Sequence, residues 1–301
     1  MGSTPGFTIS AVEYESGLPE LRQVRETVFV QEQKVPQEME WDELDPLCHH
    51  FIARDAGGQP IGTGRLTPKR TIGRMAVLAD WRGRGVGDAL LEALLAKARE
   101  LGWLEVSLHA QASAIGFYAR HGFLPEGERF DEAGIEHQAM RLLPDALNPV
   151  ETRDAAIAAT LGVIAQARRE LDIYSRELDP GLLDVPEVVA ALRRFAIDRG
   201  EVRLLVQDPA TPQRALSPLI ALGQRLSSAF AFRAVEEPVD RAYPSAYIVN
   251  DRGGHYFRKL GHRFDGETRL DAPARARQLR SAFEPVWERA RPITEYRALQ
   301  I

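Results

Sequence analysis

The six residues Arg82-Gly83-Arg84-Gly85-Val86-Gly87 stand between an apolar strand-like run, Arg74–Leu78, and a stretch with helical rhythm. From Val86 onward, Ala89, Leu90, Leu94, Ala98 and Leu101 recur at helical spacing, and Gly102 follows as a stop. A strand that turns through glycines directly into a helix belongs to an α/β fold. The start of such a helix carries unpaired backbone N–H groups, and glycines let an anion approach them closely. The turn is therefore a candidate pyrophosphate site. A P-loop needs G-x-x-x-x-G-K-[ST], and no lysine follows Gly87. A dinucleotide turn, G-x-G-x-x-G counted from Gly83, would place Asp88 at the third glycine, where a carboxylate opposes phosphate. The template that remains is R-x-x-G-x-G, met by Arg82, Gly85 and Gly87. Taken alone, the turn also allows a plain strand–helix connection with no ligand.

Around this turn the hydrophobic pattern predicts a mixed α/β domain. Residues 7–14 alternate as a strand, and 16–31 carry Leu18, Leu21, Val24 and Val28 at helical spacing. HHFIARD and PIGTGRLT flank AGGQ as a hairpin. Past the glycine turn and its helix come a strand at 103–109, a helix at 112–120 ending at Gly122, and strands at 123–129 and 136–143. The order is β-α-β-β-β-α-β-α-β-β. Leu143-Pro144-Asp145-Ala146-Leu147-Asn148-Pro149 then reads as a linker. Beyond it the pattern restarts, with helices at 153–168, 185–199, 214–226 and 272–290 and strands at 171–175, 202–207, 229–235 and near 245–259. A chain of 301 residues has room for two domains, here 1–145 and 150–301, each long enough to bury a core of its own.

Charge separates the two halves. Residues 1–150 hold 15 Lys and Arg against 22 Asp and Glu, whereas residues 151–301 hold 23 against 21. The acidic half suits a basic substrate. Cys48 is the lone cysteine, so no intrachain disulfide forms, and a reducing compartment is expected. No apolar run reaches the roughly 20 residues of a membrane helix. The opening MGSTPGFTIS lacks a basic-then-apolar leader pattern, so the expected location is cytoplasmic. No metal centre is predicted. Cys48, His49 and His50 lack zinc spacing, and adjacent strand residues point to opposite faces. Cys48 reads better as a small buried hydrophobe than as a nucleophile.

Four separated motifs carry a resemblance to the GNAT superfamily of N-acetyltransferases, in its ElaA-like branch. They are Arg25-Glu26-Thr27-Val28-Phe29-Val30-Gln31-Glu32-Gln33 with Asp42, Asp45 and His49-His50; the Arg82–Gly87 turn; Leu108–Phe123 with its F-Y-x-x-x-G-F ending; and Gly134–Met140. Together they cover nearly all of residues 7–143. The resemblance implies a GNAT fold and acetyl-CoA as co-substrate, with direct attack of a neutral amine on the thioester. By position it implies that backbone groups of Met75, Ala76 and Val77 hold the pantetheine arm, the Val77 N–H facing the thioester carbonyl. Arg82, Gly83, Arg84, Gly85, Val86 and Gly87 would hold the pyrophosphate. Gln111 stands where the superfamily more often has asparagine, and it too is a cofactor contact by this resemblance. Tyr118 matches the tyrosine that protonates the leaving thiolate; its alternative is a core aromatic beside Phe117. Glu32, His109 and His137 are candidates for the base, each with a plain structural alternative, and a water chain could also serve.

The second half resembles a phospholipase D-like module in LDIYSRELDPGLL, AYIVND, GGHYFR and the closing helix. The H-x-K signature is missing: Phe257 follows His255 and Phe264 follows His262 at the lysine position, so hydrolysis is not implied. Between Asp251 and Arg280, 8 basic residues face 4 acidic ones, which reads as a solvated helix face rather than a nucleic-acid surface. The expected function is acetylation of a small-molecule or protein amine, with a homodimer as a compatible assembly. The competing expectation is an acetyl-CoA sensor or scaffold whose second domain recognises a nucleotide or nucleic acid.

Overall fold

Each alternating apolar segment of the first half becomes a strand of one sheet. The computed structural model describes residues 6–296; the first and last five residues, which the expected domain spans include, lie outside the described residues. Strand β1 (Phe7–Val12) leads into α1 (Tyr14–Arg25), which continues through a π-helical turn, Glu26–Glu32, to a short helix α2 (Gln37–Glu40). Then follow β2 (His49–Asp55), β3 (Pro60–Leu66), β4 (Thr71–Val77), α3 (Val86–Glu100) and β5 (Val106–Gln111). The next elements are α4 (Ile115–Arg120), the short β6 (Leu124–Pro125), β7 (Phe130–Glu132) and β8 (Ile135–Leu142). The chain divides into two compact units: residues 1–112 with 127–144, and residues 113–126 with 145–301. The segment carrying α4 and β6 thus groups with the second unit.

In the first unit the strands lie in the order β1-β2-β3-β4-β5-β8, with β7 beside β8. All neighbours are antiparallel except β4 and β5, whose parallel pairing needs the crossover through α3. Helix α3 fits closely because β3 offers glycines to it. A Cβ on Gly64 would come within 2.8 Å of Leu94, and one on Gly62 within 3.0 Å of Leu90. Leu90, Leu91 and Leu94 are fully buried there.

The connection from α2 to β2 is polar in sequence, yet it is fixed by a buried ion network. Arg25 is wholly buried; it donates to Glu40 Oε1 at 2.5 Å, to the Glu40 carbonyl at 2.6 Å and to Asp45 at 2.9 and 3.1 Å. Its guanidinium also lies 4.1 Å from the Trp41 ring centre. Arg65 of β3 donates to Asp42 at 2.9 Å and to Asp45 at 2.7 Å. Burial raises the Glu40 carboxyl above its usual range, against the pull of Arg25 and Arg74. Burial acts on Asp45 too, but the Arg25 and Arg65 guanidiniums outweigh it and hold that carboxyl low. His50 is buried under the same loop, with Nε2 2.7 Å from the Asp45 carbonyl, while His49 is exposed.

The second unit continues with β9 (Asn148–Val150), α5 (Arg153–Gln166), β10 (Glu170–Ser175), α6 (Pro186–Ile197), β11 (Glu201–Val206), α7 (Ala210–Arg214) and α8 (Pro218–Arg225). After these come β12 (Phe230–Ala234), α9 (Pro238–Arg241), β13 (Ala246–Asn250), β14 (His255–Arg258), β15 (Gly266–Arg269), α10 (Pro273–Arg289) and β16 (Arg291–Pro292). The sheet order is β16-β12-β11-β10-β13-β14-β15-β9, with β10, β11 and β12 parallel. Helix α10 covers one face, burying Leu279, Phe283 and Trp287 against Tyr174, Tyr247 and Val249. Asn250 points to the other face, where its amide donates 2.8 Å to the Val163 carbonyl of α5.

Several expected boundaries move. The strand expected at 103–109 runs Val106–Gln111, because Leu104 is 80% exposed and starts no buried row. The strand expected at 123–129 splits into β6 and the separate β7, which pairs with β8 through a turn at Ala133 and Gly134. The helix expected at 214–226 begins at Pro218, preceded by the separate α7. The expected linker is partly sheet: Asn148–Val150 pairs with β15.

Candidate active site

Strands β4 and β5 pair only at their first residues, Thr71 with Ser107 and Ile72 with Leu108. Beyond that point β5 follows β8 along its whole length, through Gln111 opposite His137. The two parallel strands therefore part, and the backbone of β4 from Gly73 to Val77 is left without a ladder partner on its β5 side. A bulge assists this. Thr63 pairs with Ala76 and Arg65 with Gly73, so Gly64 alone faces both Arg74 and Met75. Arg74 takes the left-handed conformation, at φ 51°, and is held there by donation to the Glu40 and Met39 carbonyls at 3.1 and 3.2 Å.

The direction of the β4 amides follows from the ladder. Leu78 donates its N–H to the Ile61 carbonyl of β3 at 2.9 Å. Backbone groups alternate along a strand, so Val77, one residue earlier, turns its N–H and C=O away from β3 into the opening. The Val77 carbonyl accepts from Arg82 Nε at 3.0 Å on that side. Ala76 has its backbone toward β3 instead, and its side chain packs with Val24 and Val28 of the first helix. Met75 and Val77 place their side chains on the α3 face, near Val86 and Leu90.

The glycine turn opens α3 as its composition demands. Gly83 and Gly85 have φ of 73° and 83°, and a Cβ at either would meet nothing within 4 Å. Gly85 is the residue before the helix, and Val86 and Gly87 lie in its first turn. Both arginines of the turn are engaged. Arg84 lies 5.1 Å from the Trp81 ring centre. Arg82 grips Glu32 with both terminal nitrogens, at 2.7 and 2.6 Å. That hydrogen-bonded pairing with Arg82 holds the Glu32 carboxyl below its usual range. The π-helical turn makes the contact: Gln33 N–H reaches back to the Val28 carbonyl, which swings Glu32 and Gln33 off the helical register. Gln33 Oε1 accepts 2.8 Å from the Gln111 amide at the end of β5. Residues 32 and 33 thus tie the end of the first helix to both sides of the opening.

His109 and Gln111 are two apart on β5 and share a face, the one from which Gln33 approaches. His109 lies 3.3 Å from the Glu132 carboxylate and packs edge-on to Phe130. His137 stacks on the same Phe130, and its Nδ1 lies 2.8 Å from the Ile135 carbonyl. Among the described residues Glu32 shares no hydrogen bond with either histidine. Tyr118 sits on α4, within the second unit, 8% exposed and edge-on to both Phe117 and Phe123. Burial pushes its hydroxyl up to about 12. Arg74, Phe130 and Glu132 carry no motif that marks them, and Gln33, though inside the Arg25–Gln33 motif, has no role assigned by it; only the tertiary arrangement brings them to this site. Cys48 is half-buried, its thiol donating to the Leu44 carbonyl at 3.0 Å and pushed up to about 11 by burial.

Residues 17–144 match the acetyltransferase (GNAT) domain family. The N-acetyltransferase YjcF of Bacillus subtilis, itself described as uncharacterized, is 40% identical over 130 residues, which are 42% of this chain and 92% of YjcF. The chain belongs to the GNAT acetyltransferase family. Among solved structures, an acyl-CoA N-acyltransferase from Pseudomonas aeruginosa is similar at 36% identity, over 45% of this chain and 98% of that one, with a TM-score of 0.41. Escherichia coli ElaA is similar at 27% identity, over 45% and 98%, with the same TM-score of 0.41. As a GNAT acetyltransferase the chain is an enzyme that uses acetyl-CoA as co-substrate. Residues 152–299 match a separate family, described as a domain of unknown function, DUF7931. The GNAT relatives therefore cover less than half of the chain. Among the described residues no helix is long and apolar enough to cross a membrane.

Proposed function

We propose that this GNAT acetyltransferase transfers the acetyl group to an amine, and that the parted strands β4 and β5 are where the thioester lies. The observation that carries the reading is the Val77 N–H, turned into that opening one turn of chain before the Arg82–Gly87 anion site. Acetyl-CoA supplies an activated acyl group. The backbone of Met75 and Val77 lines the arm, and the Val77 N–H donates to the carbonyl oxygen as charge develops on it. The Gly83, Gly85, Val86 and Gly87 amides hold the pyrophosphate at the start of α3. Ala76 serves through packing, since its backbone groups belong to the β3 ladder.

Arg82 gives this site a second property. Its Nε is bonded to Val77 and its terminal nitrogens to Glu32. A pyrophosphate at the turn competes with Glu32 for the same donors, and a released Glu32 is free to accept a proton from the amine or to hold an ammonium group. His109 and His137, gathered on Phe130, remain further candidates for the base. Tyr118 is assigned as the acid to the thiolate by its place in the F-Y-x-x-x-G-F motif. Its hydroxyl carries a proton at neutral pH, though burial makes it a weaker acid than an ordinary tyrosine. The acidic first half, 15 basic against 22 acidic residues, supports a basic acceptor. The second unit is proposed as a phospholipase D-like domain without its H-x-K set, contributing binding rather than hydrolysis.

The test combines thermal melting with mass spectrometry of a cell extract given the protein and labelled acetyl-CoA. Acetyl-CoA is expected to raise the melting temperature, and Gly85→Asp to abolish the shift by placing a carboxylate against phosphate. Tyr118→Phe is expected to keep the shift and slow CoA release by about ten-fold or more. An unchanged shift in Gly85→Asp would remove the cofactor assignment. A shift without any acetylated amine would favour the sensor reading.

A further inference from the structure

Lysine is rare in this chain: Lys34, Lys69, Lys97 and Lys259 stand among 38 basic residues, and the rest are arginine. Of the two, only lysine can lose its proton and act as an amine nucleophile, since a guanidinium stays charged. One of the four stands beside the parted strands. Lys34 directly follows Glu32, whose carboxylate is bonded to Arg82, and Gln33, whose Oε1 accepts from the Gln111 amide. Arg82 in turn donates to the Val77 carbonyl. The Lys34 backbone is therefore fixed next to the two side chains that reach the two sides of the opening, and its own side chain is exposed. All of these residues belong to the first unit.

The chain at Lys34 is held firmly. Its φ is 61°, the left-handed position in which helices end and which glycine adopts most easily. Both neighbours are bonded back into the π-helical turn. Gln33 donates its N–H to the Val28 carbonyl at 3.0 Å, and Val35 donates to the Phe29 carbonyl at 2.9 Å. A lysine thus occupies a place that local conformation would give to glycine, and its four-carbon stem starts from a fixed point. The other lysines of this unit are remote from the opening. Lys69 lies in the turn before Thr71, the first residue of β4, and Val77, the last, is about 20 Å further along the strand. Lys97 lies about 18 Å along α3 from Gly85 and pairs with Glu100 at 2.9 Å. Lys259 belongs to the second unit.

We propose, resting on the acetyltransferase reading above, that acetyl-CoA held in this opening acetylates Lys34 of the same chain. The Lys34 ammonium first gives a proton to Glu32, which Arg82 releases as it turns to the pyrophosphate, and Glu32 passes that proton to water. The neutral Nζ then attacks the thioester carbonyl carbon. A C–N bond forms and the C–S bond breaks. A second proton leaves the nitrogen and ends on the CoA sulfur, so the products are N-acetyl-lysine and free CoA thiol. Holding the amine beside the thioester makes the transfer unimolecular. The acetyl group removes a cation from the rim of the opening, and each chain is marked once.

The test is peptide mass spectrometry of the full chain incubated with labelled acetyl-CoA, read over time at all four lysines and at two protein concentrations about ten-fold apart. Expected is one acetyl group per chain, at Lys34, with a rate constant unchanged by dilution and lost in Gly85→Asp. Excess free CoA, which fills the same site with no acyl group to give, is expected to slow the labelling about ten-fold or more. That comparison stands even if Gly85→Asp fails to fold. Lys34→Arg keeps the charge at an exposed position, so it is expected to take up no acetyl group and to retain the rise in melting temperature with acetyl-CoA. An unmodified Lys34 in a chain whose melting temperature acetyl-CoA raises overturns the inference and leaves the acetyltransferase reading standing. No modification and no rise removes both. Labelling of Lys34 that only matches Lys69 and Lys97, or that persists in excess CoA, is uncatalysed chemistry and overturns it too. A rate constant that falls on dilution places the transfer between chains and overturns the same-chain step.

Discussion

Arg25, Asp42, Asp45 and His50 belong to a motif that the sequence associates with the acetyltransferase resemblance, and in the structure they serve one another. Arg25 bonds Glu40 and Asp45, Arg65 bonds Asp42 and Asp45, and His50 meets the Asp45 carbonyl. A charge at such depth is stable only while its partners are present. Arg25→Met is expected to leave Glu40 with Arg74 alone and Asp45 with Arg65 alone, two buried carboxylates short of one cation, and to cost about 3–5 kcal/mol. Urea unfolding followed by Trp41 fluorescence reports it locally, since that ring lies on the guanidinium. An unchanged midpoint would mean that water reaches the network. Glu32 differs in kind, being half-exposed, so its pairing with Arg82 adds little stability and its interest is chemical.

At the scale of elements, helix periodicity made α3 legible, because its buried face repeats without interruption. The π-helical turn after α1 was not legible. The apolar spacing of Val24 and Val28 continues into it, and nothing local marks the change of winding. The β4 bulge was hidden for a similar reason: Arg74 occupies a left-handed position that composition assigns to glycine. Close packing sets a further test. A Cβ on Gly162 of α5 would stand 2.9 Å from the Ala119 carbonyl of α4, a backbone atom that cannot rotate away. Gly162→Ala is expected to force these helices apart and to lower stability by about 1–3 kcal/mol, despite the better helix propensity of alanine. Chemical denaturation measures it, and an equal or higher midpoint would contradict the packing argument.

Over the whole molecule, acid stability is expected to depend on two buried histidines, His50 and His255, both held below the usual imidazole range by burial. His255 is fully buried, and burial, with Arg275 and Arg269 nearby, lowers its pKa to about 4. An unfolded histidine titrates near 6.5. Between these values the unfolded chain takes up a proton that the folded chain refuses. The contribution is fully present above pH 6.5 and is lost as pH falls toward 4, up to roughly 3 kcal/mol in total. Unfolding free energies measured from pH 7 to pH 4 should show this slope, and His255→Asn should reduce it. The same slope in both proteins would assign it to other groups. The charge contrast between the halves, legible by counting, supports a basic acceptor.

The sequence by itself determined the GNAT motifs, the glycine turn at the start of α3 and most of the element order, because each rests on neighbours a few residues apart. The tertiary structure alone decided the rest. It parted β4 from β5, brought Arg82 to Glu32 and Gln111 to Gln33, and grouped α4 with residues 145–301. Those are contacts between residues 50 or more positions apart in several cases, and they depend on register, bulges and the direction of backbone groups, which no local pattern encodes.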